Sequence, residues 1–297
     1  MDDRDNAAPR RVLGRDGGRG ASKVKLSYQI ATPDISTPNL PSAQGTLEGN
    51  LDGIAEAGFE AVELSVRKPA ELDLDEIEKQ IKSRGLSVSM IHTAAMGFQD
   101  RIWLCHPVPE IRGVSYRRHL DALDMAQRFG CGMVVGSSRG NLCKDERRDD
   151  SLRWMRDALL GLADEAAARG ARLYLEPLCS HWINNVTTAA EGMALCRELG
   201  HEALVLMLDT YHMNADEASF TAPILESGEL LGHMHVAENN RYYPGGGHIP
   251  FDEVIGALRS IGYEGYLTCQ IVSKPDIRTA ARLAAENLRA LIDVGAS

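Results

Sequence analysis

From Lys23 onward the chain alternates short apolar runs, rich in β-branched residues, with longer segments whose apolar positions recur at helical spacing. The short runs are KVKLSYQIA, EAVELSV, SVSMIHTA, CGMVVGS, RLYLEPL, ALVLMLD, LLGHMHVAE and GYLTCQIV, eight in all. Each is followed by a helix candidate, of which DLDEIEKQIKSRG and DSLRWMRDALLGLADEAAARG are the clearest. Near-continuous apolar strands separated by helices are what a parallel sheet demands when both of its faces are covered. Gly58, Gly85, Gly130, Gly170, Gly200 and Gly262 fall where a helix should yield to the next strand, a position that suits a left-handed residue. Eight such units in roughly 270 residues predict a single-domain α/β fold, the (β/α)8 TIM barrel, over residues 23–297. An open doubly wound sheet would want a glycine-rich phosphate turn after its first strand, and SYQIATPDIS has no glycine. Residues 1–22 mix Asp, Arg and Gly without any period and are expected to form a flexible arm.

Composition narrows the function. Lys plus Arg number 32 against 42 for Asp plus Glu, a formal net charge of -10 over 297 residues. Such a surface repels a phosphate backbone, which argues against nucleic-acid binding. No stretch approaches the ~18 uninterrupted apolar residues of a membrane span, and the opening residues lack the apolar core of a secretion signal. Six cysteines (Cys105, Cys131, Cys143, Cys179, Cys196 and Cys269) are scattered without a CxxC pair and read as reduced thiols of a cytoplasmic protein.

In a barrel of this kind chemistry collects where the strands end. The first half offers Gln29, Glu63, Ser65, His92, Ser137, Ser138 and Arg139. The second half is denser: its strands end at Glu176, Asp209, His235 and Gln270, at intervals of 33, 26 and 35 residues. Each interval is about one βα unit, so the four side chains are expected on adjacent strands at one level, converging on a point. Two carboxylates, an imidazole and an amide oxygen suit Mn²⁺ foremost, with Mg²⁺ or Co²⁺ as the other fits. A lone strand-end Asp reads equally well as a helix N-cap. Three acidic or imidazole residues, each closing an apolar strand, favour a metal. His212, His92 and Glu176 are the candidate catalytic bases, with His181 and His106 in nearby loops. Glu238 and Arg241 follow His235 into the same mouth, where Arg241 suits clamping a substrate oxygen. Trp182, beside the Glu176 strand end, is a candidate to stack on a flat aglycone, and His181 a candidate substrate contact. Gly245 to Gly247 lacks the GxxxxGK[ST] pattern and reads as a turn that brings His248 toward the site.

LEPL around Glu176, LDTYHMN around Asp209, HMHVAENNR followed by PGGGHIPF, and GYEGYLTCQ resemble the sugar phosphate isomerase/epimerase superfamily, the xylose-isomerase-like barrels. LDALDMAQRFG and VVGSSRG extend the resemblance over nearly the whole barrel. The resemblance implies that Glu176, Asp209, His235 and Gln270 bind one divalent metal, that His212 sits beside the substrate, and that Arg241 helps to hold sugar oxygens.

The chain departs from that family at Gln270, where members that epimerise or isomerise a sugar usually carry a Glu that both ligates the metal and exchanges a proton. An amide offers an acceptor oxygen but no titratable proton, so Gln270 cannot serve as a second base. It also leaves two carboxylates where three are usual, which makes the ion a stronger Lewis acid. Both effects favour enolate formation by a single base followed by elimination. The leading expectation is therefore a lyase that releases the aglycone of a 3-oxo glycoside, similar to the metal-binding α subunit of the C-glycoside deglycosidases, which works with a small β subunit. The alternative is a ketose 3-epimerase or sugar isomerase of the same superfamily. Barrels of this family commonly associate, so either a homo-oligomer or such a small partner is expected. No basic clamp for a phosphate is visible, which favours an unphosphorylated sugar or glycoside.

Overall fold

The computed structural model describes residues 24–36 and 40–294, so the expected N-terminal arm lies outside the described residues. Eight strands pair in parallel and in sequence order into a closed barrel: β1 (Lys25–Ala31), β2 (Ala61–Ser65), β3 (Ser87–His92), β4 (Gly132–Val135), β5 (Leu173–Leu175), β6 (Leu204–Asp209), β7 (Leu231–Val236) and β8 (Tyr266–Cys269). The α-helices that wrap it are α1 (Leu47–Glu56), α2 (Leu74–Lys82), α3 (Ala94–Asp100), α4 (Pro109–Phe129), α5 (Arg148–Ala168), α6 (Ala189–Leu199), α7 (Thr210–Asp216), α8 (Thr221–Ser227), α9 (Phe251–Ser260) and α10 (Ile277–Ile292). The expected single (β/α)8 barrel is thus what the chain forms.

Local chemistry sets the helix ends. Asp73 accepts a hydrogen bond from the Glu76 amide to start α2, and Asp276 does the same with Thr279 at α10. Thr188 caps α6 through the Glu191 amide, while the Glu191 carboxylate turns back to the Thr187 amide. Each such cap satisfies helix-end donors that have no partner within the helix. α4 and α6 end on Gly130 and Gly200, at φ 65° and 61°, where any side chain would be strained.

Strand alternation divides the core in two. In β6, Leu204, Leu206 and Leu208 pack in the layer between barrel and helices, whereas Met207 joins Met90, Val134 and Tyr174 in a small separate cluster. Side chains two apart on a strand share a face. Asp209 and Glu176 therefore lie on the same side of their strands as Met207 and Tyr174, and an apolar plug forms the floor beneath them. Each buried Leu or Val of the outer layer contributes about 1.5–3 kcal/mol, which is ample to hold the polar strand ends in place.

The register corrects one expectation. Asp209 is paired with His235, but His235 is paired with Thr268, so Gln270 lies two residues further along. The four residues do not share one level, because the strands of a closed barrel are sheared past one another. Glu176 and Gln270 also fall just beyond the last residues of β5 and β8. Among the described residues no helix is long and apolar enough to cross a membrane, and the six cysteines are unpaired.

Candidate active site

The polar strand ends of the second half meet at the C-terminal mouth of the barrel. His235 is fully buried, with Nδ1 at 3.5 Å from Glu176 Oε1 and 3.9 Å from Asp209 Oδ2. Asp209 divides its two oxygens. Oδ1 accepts from the Tyr211 amide at 2.8 Å and caps α7, while Oδ2 accepts from Arg241 Nη1 at 2.7 Å. The capping role open to any strand-end aspartate is real here, and it leaves the second oxygen to Arg241, which lines the pocket.

Gln270 is pinned at both ends. Its Oε1 accepts from Arg241 Nη1 at 2.8 Å, and its Nε2 donates to His92 Nε2 at 3.1 Å, which fixes the amide orientation. Arg241 reaches both groups because its backbone takes the left-handed region at φ 61° and its guanidinium lies 3.9 Å from the centre of the Tyr211 ring. The Cys179 amide donates to His212 Nδ1 at 3.2 Å, so the ring proton sits on Nε2. That nitrogen is 3.0 Å from Arg241 Nη2. Two donors therefore converge, and a substrate oxygen placed between them accepts from both.

Burial opposes the charge on Glu176, yet the contact with His235 and the charges of His235, His212 and His92 hold its pKa below the ordinary carboxylate value. For Asp209 the burial penalty is likewise outweighed, chiefly by Arg241. Burial pushes His212 down to about 4 against the pull of Asp209, and it lowers His92 as well. His235 goes the other way: despite burial, Glu63 and Glu176 push it up to about 10. Glu176 Oε1 and His235 Nδ1 are buried without a hydrogen-bond partner. Such atoms normally find one, and carboxylate oxygen with imidazole nitrogen is a donor set that fits a divalent cation. Ligand atoms within 4.8 Å of one another also occur in two groups, Glu176, Asp209 and His212 on one side and Glu63, His233 and His235 on the other.

Several expected residues do not reach this pocket. Both Glu238 oxygens are taken by backbone amides, Gly245 on Oε1 and Ile249 on Oε2, each at 2.9 Å, so Glu238 braces the 245–249 loop instead of facing substrate. His181 is exposed in a turn held by Ser180 and Asp216, and His248 is exposed too. His106 accepts from the Val108 amide and packs on Trp103. Trp182 does line the pocket, 40% exposed, in edge-to-face contact with Phe98 and with His212.

Three residues to which the sequence assigned no role shape the site, Glu63 and Arg139 from the strand ends of the first half and Gly136. Glu63 lies under His235 and bonds to it, as described further below. Arg139 is wholly buried and clips the ends of β4 and β5 together, donating to the Gly136, Glu176, Asn185 and Val186 carbonyls and to the Asn185 side chain. Gly136 follows β4 directly, and a Cβ placed there would overlap Glu176 Oε2. The only sequence signals are an acid inside the apolar run EAVELSV and a glycine immediately after the run MVV. Gly136→Ala is accordingly expected to displace the Glu176 carboxylate and to lower kcat/KM tenfold or more, as steady-state kinetics on any turned-over substrate would register.

The pocket is narrow, with a cavity volume of about 30 Å³. Glu176, His212, Arg241 and Gln270 form one wall, and Gln29, Ser65, His92 and Ser137 contribute to the other. Among the described lining residues Arg241 is the one permanent cation.

Residues 51–294 match the family model described as xylose isomerase-like TIM barrel. The L-ribulose 3-epimerase of Mesorhizobium japonicum is 33% identical over 236 residues, covering 78% of this chain and 77% of that one. The 3-dehydro-D-guloside 4-epimerase of Escherichia coli is 30% identical over 224 residues, covering 72% and 82%. The crystal structure of a D-allulose 3-epimerase from Methylomonas sp. superposes with a TM-score of 0.76 at 22% identity, covering 92% of this chain and all of that one, a likeness of fold.

Proposed function

This chain belongs to the xylose isomerase-like TIM-barrel family, and on that premise we propose that it is a divalent-metal-dependent epimerase of an unphosphorylated keto sugar. It removes a proton from the carbon next to the carbonyl and returns one to the opposite face. The observation that carries this reading is the pair of buried, unpartnered atoms Glu176 Oε1 and His235 Nδ1, 3.5 Å apart, at the base of a pocket whose polar lining is hydroxyls, amides, imidazoles and Arg241. The relatives named above, which act on a ketose and on a 3-keto glycoside, support it.

Glu176, Asp209, His235 and the Gln270 carbonyl would hold the ion once Arg241 releases Asp209 Oδ2 and Gln270 Oε1, with manganese the best fit to their chemistry. Bound there, a divalent ion supplies Lewis-acid stabilisation of the negative charge that develops on a carbonyl oxygen as the adjacent C–H bond breaks. Glu176 is ionised and buried; with Oε1 given to the ion, it takes the proton on Oε2, the oxygen on the His92 side. His212 and Arg241 donate to a substrate oxygen, while Ser137, whose hydroxyl is buried without a partner, receives a sugar hydroxyl. His92, bonded to Gln270 and lining the pocket, supplies the second proton position that inversion requires. Arg241 is the one permanent cation among the described lining residues, which favours an unphosphorylated sugar.

His235 must give up its Nδ1 proton to act as a ligand, whereas Glu176 and Asp209 are ionised at neutral pH. With the His235 pKa pushed up to about 10, apparent metal affinity is expected to rise about tenfold per pH unit from neutrality and to level off above that value. Calorimetry in buffers of different ionisation enthalpy counts the proton released.

One observation favours a second reading. The Gln270 amide, held by Arg241 and His92, has no proton to exchange, and a single base acting on a 3-keto glycoside ends in elimination of the aglycone, a lyase of the C-glycoside deglycosidase kind. The similarity to epimerases supports inversion more strongly. Incubating the Mn²⁺-loaded protein with L-ribulose, D-fructose and a 3-keto-D-glucoside, with chromatography of the products, separates the two. An epimer supports the first reading, released aglycone the second, and unchanged substrates contradict both.

A further inference from the structure

We infer that Glu63 is a positioning residue that fixes His235 so that Nδ1, and not Nε2, faces Glu176 and Asp209. Glu63 sits on β2, fully buried, and is not among the residues lining the pocket, so it touches no substrate. Both of its oxygens lie 3.0 Å from His235 Nε2. Oε2 is also 3.1 Å from His233 Nε2, which in turn is 3.0 Å from Thr268 Oγ1. The chain Thr268, His233, Glu63, His235 thus crosses from β8 and β7 to β2 beneath the pocket.

An ionised carboxylate only accepts hydrogen bonds, so each imidazole must present N–H to it. For His235 this commits Nε2 to keeping its proton, so the proton given up when a cation binds is the one on Nδ1, whose lone pair is then free beside Glu176 Oε1. With an amide at position 63, an N–H can be offered to His235 Nε2 instead. The ring proton then moves to Nδ1, donates to Glu176 and closes the gap by an internal hydrogen bond. Glu63 also places a third carboxylate in the cluster, after Gln270 has left Glu176 and Asp209 as the two at the pocket wall. The inference rests on the metal-binding reading above, and it adds a residue that no substrate contact would reveal.

The test is calorimetric titration of wild type, Glu63→Gln and Glu63→Asp with MnCl₂ alone, together with melting curves of the metal-free proteins. Gln keeps the length and loses the charge, while Asp keeps the charge and withdraws it from His235. Both variants are expected to raise the Mn²⁺ Kd at least tenfold, with at least one melting within about 4 °C of wild type. Wild-type affinity in a folded variant overturns the role of Glu63 and leaves the metal site standing. A wild-type chain that takes up no Mn²⁺ overturns both. If neither variant folds, Glu63 is a folding residue and the inference fails.

Discussion

Glu176→Gln is expected to lower kcat on a keto sugar by about 10³-fold, in the middle of the range for loss of a general base. The substitution keeps the shape of the side chain, so the space beside Gly136 stays filled and the backbone held by Arg139 does not move. It removes the ionised oxygen that faces His235 Nδ1 without a hydrogen bond of its own. Some stability should be lost in the metal-free protein, because the contacts that hold the Glu176 pKa below the ordinary carboxylate value outweigh its burial penalty. A folded variant that takes up Mn²⁺ yet turns over slowly assigns the loss to proton transfer. A fall of less than about tenfold would mean that another group takes the proton.

The second large effect is a gain. Gln270→Glu puts a carboxylate where Arg241 Nη1 lies at 2.8 Å and His92 Nε2 at 3.1 Å, so the new oxygens meet one cation and one imidazole that can shift its proton to Nε2. The pocket thereby acquires a second titratable carboxylate. Inversion of a ketose is expected to speed up by about 10²-fold, the lower end of what a positioned acid or base contributes. The same change adds a negative charge to the metal-binding wall and weakens its pull on a carbonyl. Any elimination from a 3-keto glycoside should therefore slow. Rates on both substrate types, measured on one preparation, show the opposite movements. A variant in which both rates fall together would mean that Gln270 acts through packing alone.

The fold was legible because its signals are local. The apolar runs, the caps Asp73, Thr188 and Asp276, and the glycines ending α4 and α6 all act within a few residues of where they stand. The dense half of the site was legible for a related reason: an acid or imidazole closing a run of Leu, Val and Met must be held by something. What stayed hidden depends on geometry across the barrel. The shear that sets Thr268, not Gln270, opposite His235 has no trace in spacing along the chain. Glu63 reads as one polar position within a strand until β7 brings His233 and His235 against it from 170 and 172 residues away. Glu238 and Arg241 are three apart in one turn, yet the left-handed backbone at Arg241 sends its guanidinium into the pocket while Glu238 turns to the loop amides. His181 and Trp182 are neighbours, and only the second lines the pocket.

The most direct test of the central claim is proton NMR of L-ribulose, D-fructose and a 3-keto-D-glucoside in D₂O with Mn²⁺-loaded enzyme, quenched and stripped of metal before each spectrum. The account requires loss of the signal from the carbon next to the carbonyl as deuterium enters, abolished by prior chelation and by Glu176→Gln. Full retention of that signal in all three sugars, with metal bound and the protein folded, would contradict it.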